Sequence, residues 1–342
     1  MEMATVAAER RVQVRVEPRG EVLAAPPGAL LLDVLRQGRV PISYSCEAGR
    51  CGTCRCELLS GEVLEDSDCE FRGGPVPGGT RQVLACRTRL AGNCVIGLVE
   101  PDEIVLHPAQ VLKCRVETLE QLNEATLALR MRPNRPLRFS AGQFARLDFG
   151  AGLTRPYSMA NAEGGEVLEF HLRRVPGGRV TSFVAGQVRC GHTVKLVGPL
   201  GTSYLRRKHQ GPMLCVAGGT GLAPIMSIVR TALSCAVPGP IHIYVGARSA
   251  GELYGLDELR ELQRRHASQA TLHVAVDARP ADASLRHGLI TEMVAADLQS
   301  LAHWKVYLAG PPPMVEAGTR LALQLGARYG DIHADAFYPS EN

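Results

Sequence analysis

The spacing of apolar and polar positions changes twice along the chain, and each change marks a different predicted structure. In residues 1–103, VQVRVEP and EVLAA alternate as the two strands of a β-hairpin do, and LLLDVLRQG predicts a short helix that ends at Gly38. Strands are also predicted around RCELLSGEV and QVLACRT. The first stretch therefore predicts a small domain of short strands with one helix, and the segment from Pro101 to Pro108 is the expected linker.

The second stretch, residues 104–208, contains many short alternating segments that turn residues separate. The predicted strands are VLKCRVETLEQ, EATLALRMR, QFARLDF, RPYSMAN, EVLEFHLRRV and HTVKLVGPLG, and the predicted helix is VTSFVAG. Short strands spaced in this way are typical of an antiparallel β-barrel.

The third stretch, residues 209–342, alternates apolar strands with helical segments. The predicted strands are MLCVAGG, IHIYVGA, TLHVAVD and KVYLAG. The predicted helices lie near APIMSIVRTAL, ELYGLDELRELQRR, LITEMVAADLQ and PPMVEAGTRLALQLG. This pattern predicts a parallel α/β sheet that binds a nucleotide at the carboxyl ends of its strands.

Composition narrows the class of protein. The hydrophobic fraction of 45% and the charged fraction of 21% are ordinary for a globular protein, and no apolar run approaches the length of a membrane span. The first residues, MEMATVAAERR, do not have the pattern of a secretory signal. Residues 1–103 carry 12 Lys and Arg against 15 Asp and Glu, whereas the remainder carries 26 against 19. A basic remainder suits phosphate-rich cofactors, and without a basic run we expect neither a nucleic-acid nor a membrane partner.

Four cysteines have the spacing of an iron–sulfur site. Cys46, Cys51 and Cys54 follow the pattern C-x4-C-x2-C, and Cys86 follows after a gap of 31 residues. This is the plant-type spacing of a [2Fe–2S] cluster, which four thiolates hold. Disulfides suit small secreted proteins, and structural zinc sites usually combine two C-x2-C pairs, of which one is present here. We therefore predict a [2Fe–2S] cluster on these four cysteines in a ferredoxin-like β-grasp domain. Cys56 lies two residues past Cys54 and does not fit the spacing.

The other cysteines are scattered singly, and a buried, small hydrophobic role is expected for each. They are Cys69, Cys94, Cys114, Cys190, Cys215 and Cys235. Free thiols beside an iron–sulfur cluster indicate a reducing cytoplasm.

Two segments of the barrel predict a flavin site. The first, Arg155-Pro156-Tyr157-Ser158, supplies a cation for a pyrophosphate, an aromatic face for the ring and a hydroxyl donor. The second passes from a strand through a glycine turn into a helix, whose first N–H groups bind phosphate oxygens. Its candidate residues are His171, Arg173, Gly177, Gly178, Arg179, Val180 and Thr181. His171 is also consistent with an ordinary strand residue that faces solvent or the barrel wall, so its place in the flavin site does not carry the prediction.

Two glycine turns of the third stretch predict the nucleotide site. Gly218, Gly219, Thr220 and Gly221 connect the first strand to a helix, so that a pyrophosphate can approach the helix start. Near the end of a later strand, Gly310 and Pro311 allow close approach to a nicotinamide ring. Arg248 follows the second strand, where it would either meet a ribose 2′-phosphate or remain a solvated arginine.

The cluster loop, RPYS, PGGRVT, GGTGLAP, GPPPM and HADAF occur in one order along nearly the whole chain. In this order they resemble the ferredoxin–NAD(P)+ reductases that serve aromatic-ring dioxygenases, above all those of naphthalene dioxygenase-type systems. The resemblance implies an N-terminal [2Fe–2S] domain, a barrel that holds FAD and a C-terminal nicotinamide domain. It also implies that Phe337 lies against the flavin ring opposite Tyr157. Members often have Cys-Gly before the proline turn, where this chain has Ala309.

The implied activity is electron transfer from NAD(P)H through FAD and the cluster to a Rieske-type ferredoxin, which feeds a terminal oxygenase. NADH is the expected donor, and NADPH is the alternative. Two other functions stay open at this point. One is a two-component reductase that reduces its oxygenase directly, and the other is a redox-sensing iron–sulfur flavoprotein.

Overall fold

The structure is a computed structural model. It describes residues 11–44, 47, 49, 53–66, 81–98, 103–105, 107–279, 282 and 285–338. Contacts within the chain divide it into two units, Met1–Pro101 and Asp102–Asn342. The second unit contains both the barrel and the parallel sheet. The boundaries of the three predicted domains, 1–103, 104–208 and 209–342, remain predictions.

The first unit is a mixed five-stranded sheet with one helix. Its elements are β1 (Val12–Glu17), β2 (Glu21–Ala25), α1 (Leu31–Gln37), β3 (Arg55–Glu65), β4 (Arg81–Leu84) and β5 (Thr88–Gly97). The strand order is β2-β1-β5-β3-β4, and β1 pairs with β5 in parallel while the other pairs are antiparallel. Alternate residues of β1 enter the core, where the leucines of α1 join them. The predicted hairpin, the helix before Gly38 and the β-grasp arrangement are confirmed.

The second unit begins with a six-stranded antiparallel sheet. Its elements are β6 (Gln110–Asn123), β7 (Thr126–Pro133), β8 (Phe144–Asp148), β9 (Thr154–Ser158), β10 (Leu168–Arg173), α2 (Arg179–Gln187) and β11 (Thr193–Leu200). The order is β10-β7-β6-β11-β8-β9. A bridge between Met159 and Phe170 joins the two edge strands, which closes the sheet into the predicted barrel at that level. All six predicted strands and the predicted helix are confirmed.

A six-stranded parallel sheet completes the second unit. Its strands are β12 (Met213–Gly218), β13 (Ile241–Ala247), β14 (Ala270–Val276), β15 (Arg286–His287), β16 (Lys305–Gly310) and β17 (Ile332–Ala336). Its helices are α3 (Leu222–Ser234), α4 (Leu256–Arg265), α5 (Ile290–Asp297) and α6 (Pro312–Gln324). The order β15-β14-β13-β12-β16-β17 reverses direction between β12 and β16, which creates the crevice where such sheets bind ligands.

Three details of the parallel sheet differ from the sequence prediction. The strand β15 was not predicted, because its two residues are too short a segment to show a hydrophobic pattern. The helix expected from Glu252 begins at Leu256, because Ala250–Glu252 forms a separate 3₁₀ turn and Gly255 has a left-handed backbone with φ of 67°. Strand β17 was not predicted, because the buried polar residues His333 and Asp335 hide its apolar alternation. Among the described residues, no helix has the length and apolar character to cross a membrane.

Candidate cofactor-binding sites

Two of the four predicted cluster ligands are described, and they lie together. Cys54 precedes β3 and Cys86 lies in the short turn Ala85–Arg87 after β4, and both are buried. The backbone N–H of Cys86 points at the Sγ of Cys54 with 3.5 Å between nitrogen and sulfur. Because N–H groups directed at ligand sulfurs tune iron–sulfur clusters, this pair fits the predicted site. Cys46 and Cys51 lie outside the described residues.

Cys56 is placed differently from these two cysteines. It lies inside β3 opposite Val83, and its Sγ lies 3.8 Å from the carbonyl oxygen of Val83. It is buried in the same apolar core as the two predicted ligands, so burial alone does not distinguish it from them. The distinction rests on the spacing pattern.

The other cysteines confirm the prediction only in part. Cys94, Cys114 and Cys215 are buried, and burial raises the pKa of Cys215 to about 12, so this thiol stays protonated. Cys190 and Cys235 are exposed, so the prediction is wrong for both. The first lies in the turn before β11 and the second directly after the end of α3, where side chains face solvent. Cys69 lies outside the described residues.

The first flavin segment forms β9 on the wall of the barrel. The Arg155 guanidinium lies partly exposed and donates to the carbonyl oxygen of Thr154 at 2.9 Å. Tyr157 pairs with Ala145 of β8. Burial raises the pKa of the Tyr157 phenol well above its usual value, so the ring stays neutral. Pro156 is exposed between these two side chains.

Ser158 contacts Asp335, a residue that the sequence analysis did not assign to a site. Its hydroxyl lies 3.3 Å from the Oδ2 of Asp335 in β17, a carboxylate that is 8% exposed. The candidate flavin hydroxyl is therefore in contact with an acidic group from the end of the chain. The signal in the sequence was one acidic residue inside HADAF, and nothing local connects it with a residue 177 positions away.

The second flavin segment has the predicted turn and helix start. Gly177 and Gly178 lead into α2, and Gly178 is its N-terminal cap. The first helical residues Arg179, Val180 and Thr181 carry N–H groups that have no partner within the helix, which is the arrangement that binds phosphate. The Thr181 hydroxyl donates back to the carbonyl oxygen of Gly178, which fixes the turn.

The turns after β12 and β16 meet so closely that side chains would not fit. A Cβ atom on Gly221 would lie 2.0 Å from the carbonyl oxygen of Ala309, and one on Gly310 would lie 2.5 Å from that of Gly218. The turn Gly219–Gly221, which contains Thr220, then enters α3. The backbone is thus bare at the crevice, as the approach of a dinucleotide pyrophosphate requires.

Phe337 reaches the same crevice. Its backbone N–H donates to the carbonyl oxygen of Gly310 at 2.9 Å, beside Pro311. The half-buried side chain therefore belongs to the segment where β16 and β17 end together. Its predicted place against a flavin ring stays a prediction.

Arg248 is held by an acidic neighbour that the sequence analysis did not consider. Its guanidinium forms an ion pair with the carboxylate of Glu252, and its backbone N–H contacts the same carboxylate at 3.3 Å. The hydrogen bond from Arg248 is the main reason that the pKa of Glu252 lies below its usual value. Asn123 of the barrel donates to the Glu252 carbonyl oxygen at 2.7 Å. The positive charge of the arginine next to the predicted ribose position is thus compensated by the Glu252 carboxylate.

His171 and Arg173 lie on the outer face of β10 and point toward the parallel sheet β12–β17 with its helices and turns, here called the nucleotide module. His171 is buried against Tyr254, with its Nδ1 3.1 Å from the Tyr254 hydroxyl. The Nη1 of Arg173 lies 3.7 Å from the position that a Cβ on Gly219 would occupy. Arg173 therefore reaches the turn after β12, although it belongs to the barrel.

Comparisons with known proteins agree with this division of sites. The family models for the 2Fe-2S iron-sulfur cluster binding domain, the oxidoreductase FAD-binding domain and the oxidoreductase NAD-binding domain match residues 14–91, 113–204 and 215–320. The ferredoxin–NAD(P)(+) reductase component of the naphthalene 1,2-dioxygenase system of Pseudomonas putida is 47% identical over 96% of this chain and 99% of its own. The corresponding component of the naphthalene 1,2-dioxygenase/salicylate 5-hydroxylase systems of a Ralstonia species is 46% identical, with 96% and 99% covered.

A solved structure shares the fold across nearly the whole chain. The cytochrome P450 reductase GcoB of Amycolatopsis is 32% identical, with a TM-score of 0.73 and coverage of 96% of this chain and 99% of that chain. The cofactors of this chain are accordingly a [2Fe–2S] cluster, FAD and NAD(H). From the matched domains, their order and the extent of the similarity, the chain belongs to the family of ferredoxin–NAD(P)+ reductase components and is an oxidoreductase.

Proposed function

We propose that this chain passes electrons from NADH to a Rieske-type ferredoxin, which feeds an aromatic-ring dioxygenase. The observation that carries the proposal is the similarity to the reductase component of Pseudomonas putida, which extends over 96% of this chain. The described sites are consistent with it, since they contain two buried cysteines of a cluster spacing and a bare crevice at the switch point of a parallel sheet.

Each cofactor has its own set of proposed binding residues. Cys46, Cys51, Cys54 and Cys86 would hold the [2Fe–2S] cluster. Arg155 would form a charge-assisted pair with the FAD pyrophosphate, and the start of α2 would bind phosphate oxygens. Tyr157 would offer its neutral ring to the flavin. FAD, when bound, accepts two electrons together and releases them singly, which is the chemistry that links a hydride donor to a one-electron carrier.

The chain's own residues then position the reactants and need not exchange protons with the substrate. The crevice between β12 and β16 would admit the nicotinamide nucleotide. Its glycines leave room for the pyrophosphate, and Arg173 adds a positive charge beside Gly219. Phe337 and Pro311 would border the place where the nicotinamide meets the flavin. In this scheme Ala309 contributes no thiol to that region.

The pairing of Arg248 supports NADH as the preferred donor. A 2′-phosphate at the end of β13 would meet the carboxylate of Glu252 as well as the guanidinium. An acidic group at this point in a nucleotide-binding sheet favours a free ribose hydroxyl. Arg248 is the candidate phosphate ligand at this strand end, and its positive charge is already paired with the Glu252 carboxylate.

Reconstitution tests the proposal directly. The holoenzyme, NADH, a Rieske-type ferredoxin and its aromatic-ring dioxygenase are combined, and the hydroxylated product is measured with and without the ferredoxin. We expect turnover only when the ferredoxin is present. Equal turnover without it would contradict the proposed partner.

A second candidate is a reductase that reduces its oxygenase directly. The observation in its favour is the similarity to an Amycolatopsis cytochrome P450 reductase, which shares 32% identity and the fold over 96% of this chain. Its predicted result is turnover without ferredoxin, so the same reconstitution distinguishes the two candidates.

A further inference from the structure

Strand β10 carries polar side chains on its outer face at a place where they are buried. Leu168, Phe170 and Leu172 enter the barrel core, whereas Glu169 and His171 point the other way and are 8% and 7% exposed. Burial of a carboxylate and an imidazole is unfavourable unless each has hydrogen-bond partners. Residues of the nucleotide module supply several of these partners.

The partners of Glu169 keep it a carboxylate. Arg130 Nε lies 2.8 Å and Arg230 Nη1 lies 3.5 Å from its oxygens. Arg230 of α3 also donates to the carbonyl oxygen of Ala160 and pairs with Glu258 of α4. Burial alone would raise the pKa of Glu169, but hydrogen bonds from His171 and Arg130 and the charge of Arg230 lower it to about 2. Glu169 is therefore a hydrogen-bond acceptor only.

This charge state fixes the direction of the next hydrogen bonds. The Nε2 of His171 lies 3.1 Å from Glu169 Oε1, so Nε2 carries a proton and donates it. The Tyr254 hydroxyl has one proton, which it donates to the carbonyl oxygen of Gly219 at 3.4 Å. Its oxygen therefore accepts from the Nδ1–H of His171 at 3.1 Å, so that both ring nitrogens donate, as in an imidazole that is protonated beside the Glu169 carboxylate. One hydroxyl thus lies between the barrel histidine and the nucleotide turn.

The ring of Tyr254 is fixed as well as its hydroxyl. It meets the imidazole edge to face, with 5.2 Å between the ring centroids and 81° between the planes, and the residue is 7% exposed. Gly219 is the first residue of the turn that leads into α3, and its backbone is left-handed with φ of 54°. Because glycine adopts this conformation without strain and is permissive, the contacts of this peptide, and not its own conformational preference, fix its orientation.

We propose that Glu169, His171 and Tyr254 form a positioning relay that holds the Gly219 peptide in the orientation needed to bind the nucleotide pyrophosphate. The inference rests on the proposed function of the crevice. Strand β10, which leads into the second flavin segment, would thereby influence the affinity for the nucleotide. None of the three side chains would touch the nucleotide itself. The residues concerned come from β10 and from the segment before α4, 83 positions apart in the case of the histidine and the tyrosine.

Tyr254→Phe removes the hydroxyl and keeps the ring. Tyr244→Phe is the matched control, because Tyr244 is buried in the same module and its hydroxyl contacts Asp297 at 3.1 Å instead of the turn. We expect Tyr254→Phe holoenzyme to bind NAD+ about 3- to 10-fold more weakly, the range for one neutral hydrogen bond. The KM for NADH with ferricyanide as acceptor should rise in parallel while kcat stays nearly constant. Tyr244→Phe should leave the NAD+ affinity unchanged.

Histidine variants test the direction of the relay. Asn at position 171 can place its amide NH2 near the position of Nδ1 and donate to the Tyr254 oxygen, whereas Ala offers no donor. We expect His171→Ala to weaken NAD+ binding as much as Tyr254→Phe, and His171→Asn to weaken it less. These two variants also decide the question if Tyr254→Phe does not fold.

Several outcomes would overturn the inference. One is that Tyr254→Phe binds NAD+ as tightly as Tyr244→Phe; another is that His171→Asn and His171→Ala lose equal affinity, which would indicate packing alone. Failure of the proposed role of the crevice as the nucleotide site would look different, because the wild-type protein itself would then not bind NAD+.

Discussion

The candidate cofactor sites of the two units differ in the physical means by which they would hold a cofactor. In Met1–Pro101, the predicted ligands are thiolates that bond to iron, and Cys54 and Cys86 are buried where an N–H group points at sulfur. In Asp102–Asn342, the candidate sites consist largely of bare backbone, helix starts and single charged side chains. A single substitution should therefore remove the cluster outright, whereas in the second unit it should only weaken binding.

The largest effect is expected for Cys86→Ser. Losing one of four thiolate ligands should abolish the [2Fe–2S] absorbance and the bound iron, while FAD stays bound in the other unit. Cys56→Ala is the matched control, because Cys56 is equally buried in the same unit but lies outside the ligand spacing. Iron content, the visible spectrum and the FAD released on denaturation measure the result. Loss of the cluster in Cys56→Ala with retention in Cys86→Ser would contradict the ligand assignment.

A smaller effect is expected for Arg155→Ala in the second unit. A hydrogen bond to a charged group is worth about 1.5–3 kcal/mol, which corresponds to FAD binding that is ~10- to 150-fold weaker. The FAD that remains after dialysis and dilution measures it. Arg146→Ala in the neighbouring strand β8 is a suitable control. If Arg155→Ala keeps its full FAD content, Arg155 is not the pyrophosphate ligand.

The smallest effect is expected for nucleotide choice. Glu252→Gln should release Arg248 and remove a negative charge near the ribose, so the ratio of kcat/KM for NADPH over NADH should rise. Because exposed ion pairs contribute about 0.2–1 kcal/mol, we expect a rise of ~1.4- to 5-fold. Glu261→Gln, which breaks ion pairs with Arg264 and Arg265 on the surface of α4, should leave the ratio unchanged. An unaltered ratio in Glu252→Gln would show that Glu252 does not contribute to the choice between NADH and NADPH.

The sequence predicted the features that depend on local order. Hydrophobic alternation correctly indicated the hairpin and the barrel strands, and short apolar runs indicated four strands of the parallel sheet, because each of these patterns lies within a few residues. The ligand spacing of the cluster is equally local, apart from Cys86. The start of α4 was misplaced because Gly255 changes the backbone direction within an otherwise helical pattern.

The features that escaped prediction join distant parts of the chain. Asp335 meets Ser158 from 177 positions away, and Tyr254 meets His171 from 83 positions away. For His171, the sequence left open an ordinary strand residue that faces solvent or the barrel wall, since nothing near it shows that another module covers this face of β10. Such contacts depend on the packing of two sheets, which no local pattern specifies.

The central claim is that hydride enters through the second unit and that single electrons leave through the cluster. The most direct measurement compares two acceptors in wild-type protein and in full-length Cys86→Ser protein loaded with FAD. With NADH as donor, both proteins should reduce ferricyanide, a small acceptor that can reach the flavin, at similar rates. Reduction of the Rieske-type ferredoxin should be lost in Cys86→Ser. Ferredoxin reduction at the wild-type rate in this variant would make the flavin the direct donor and would contradict the claim.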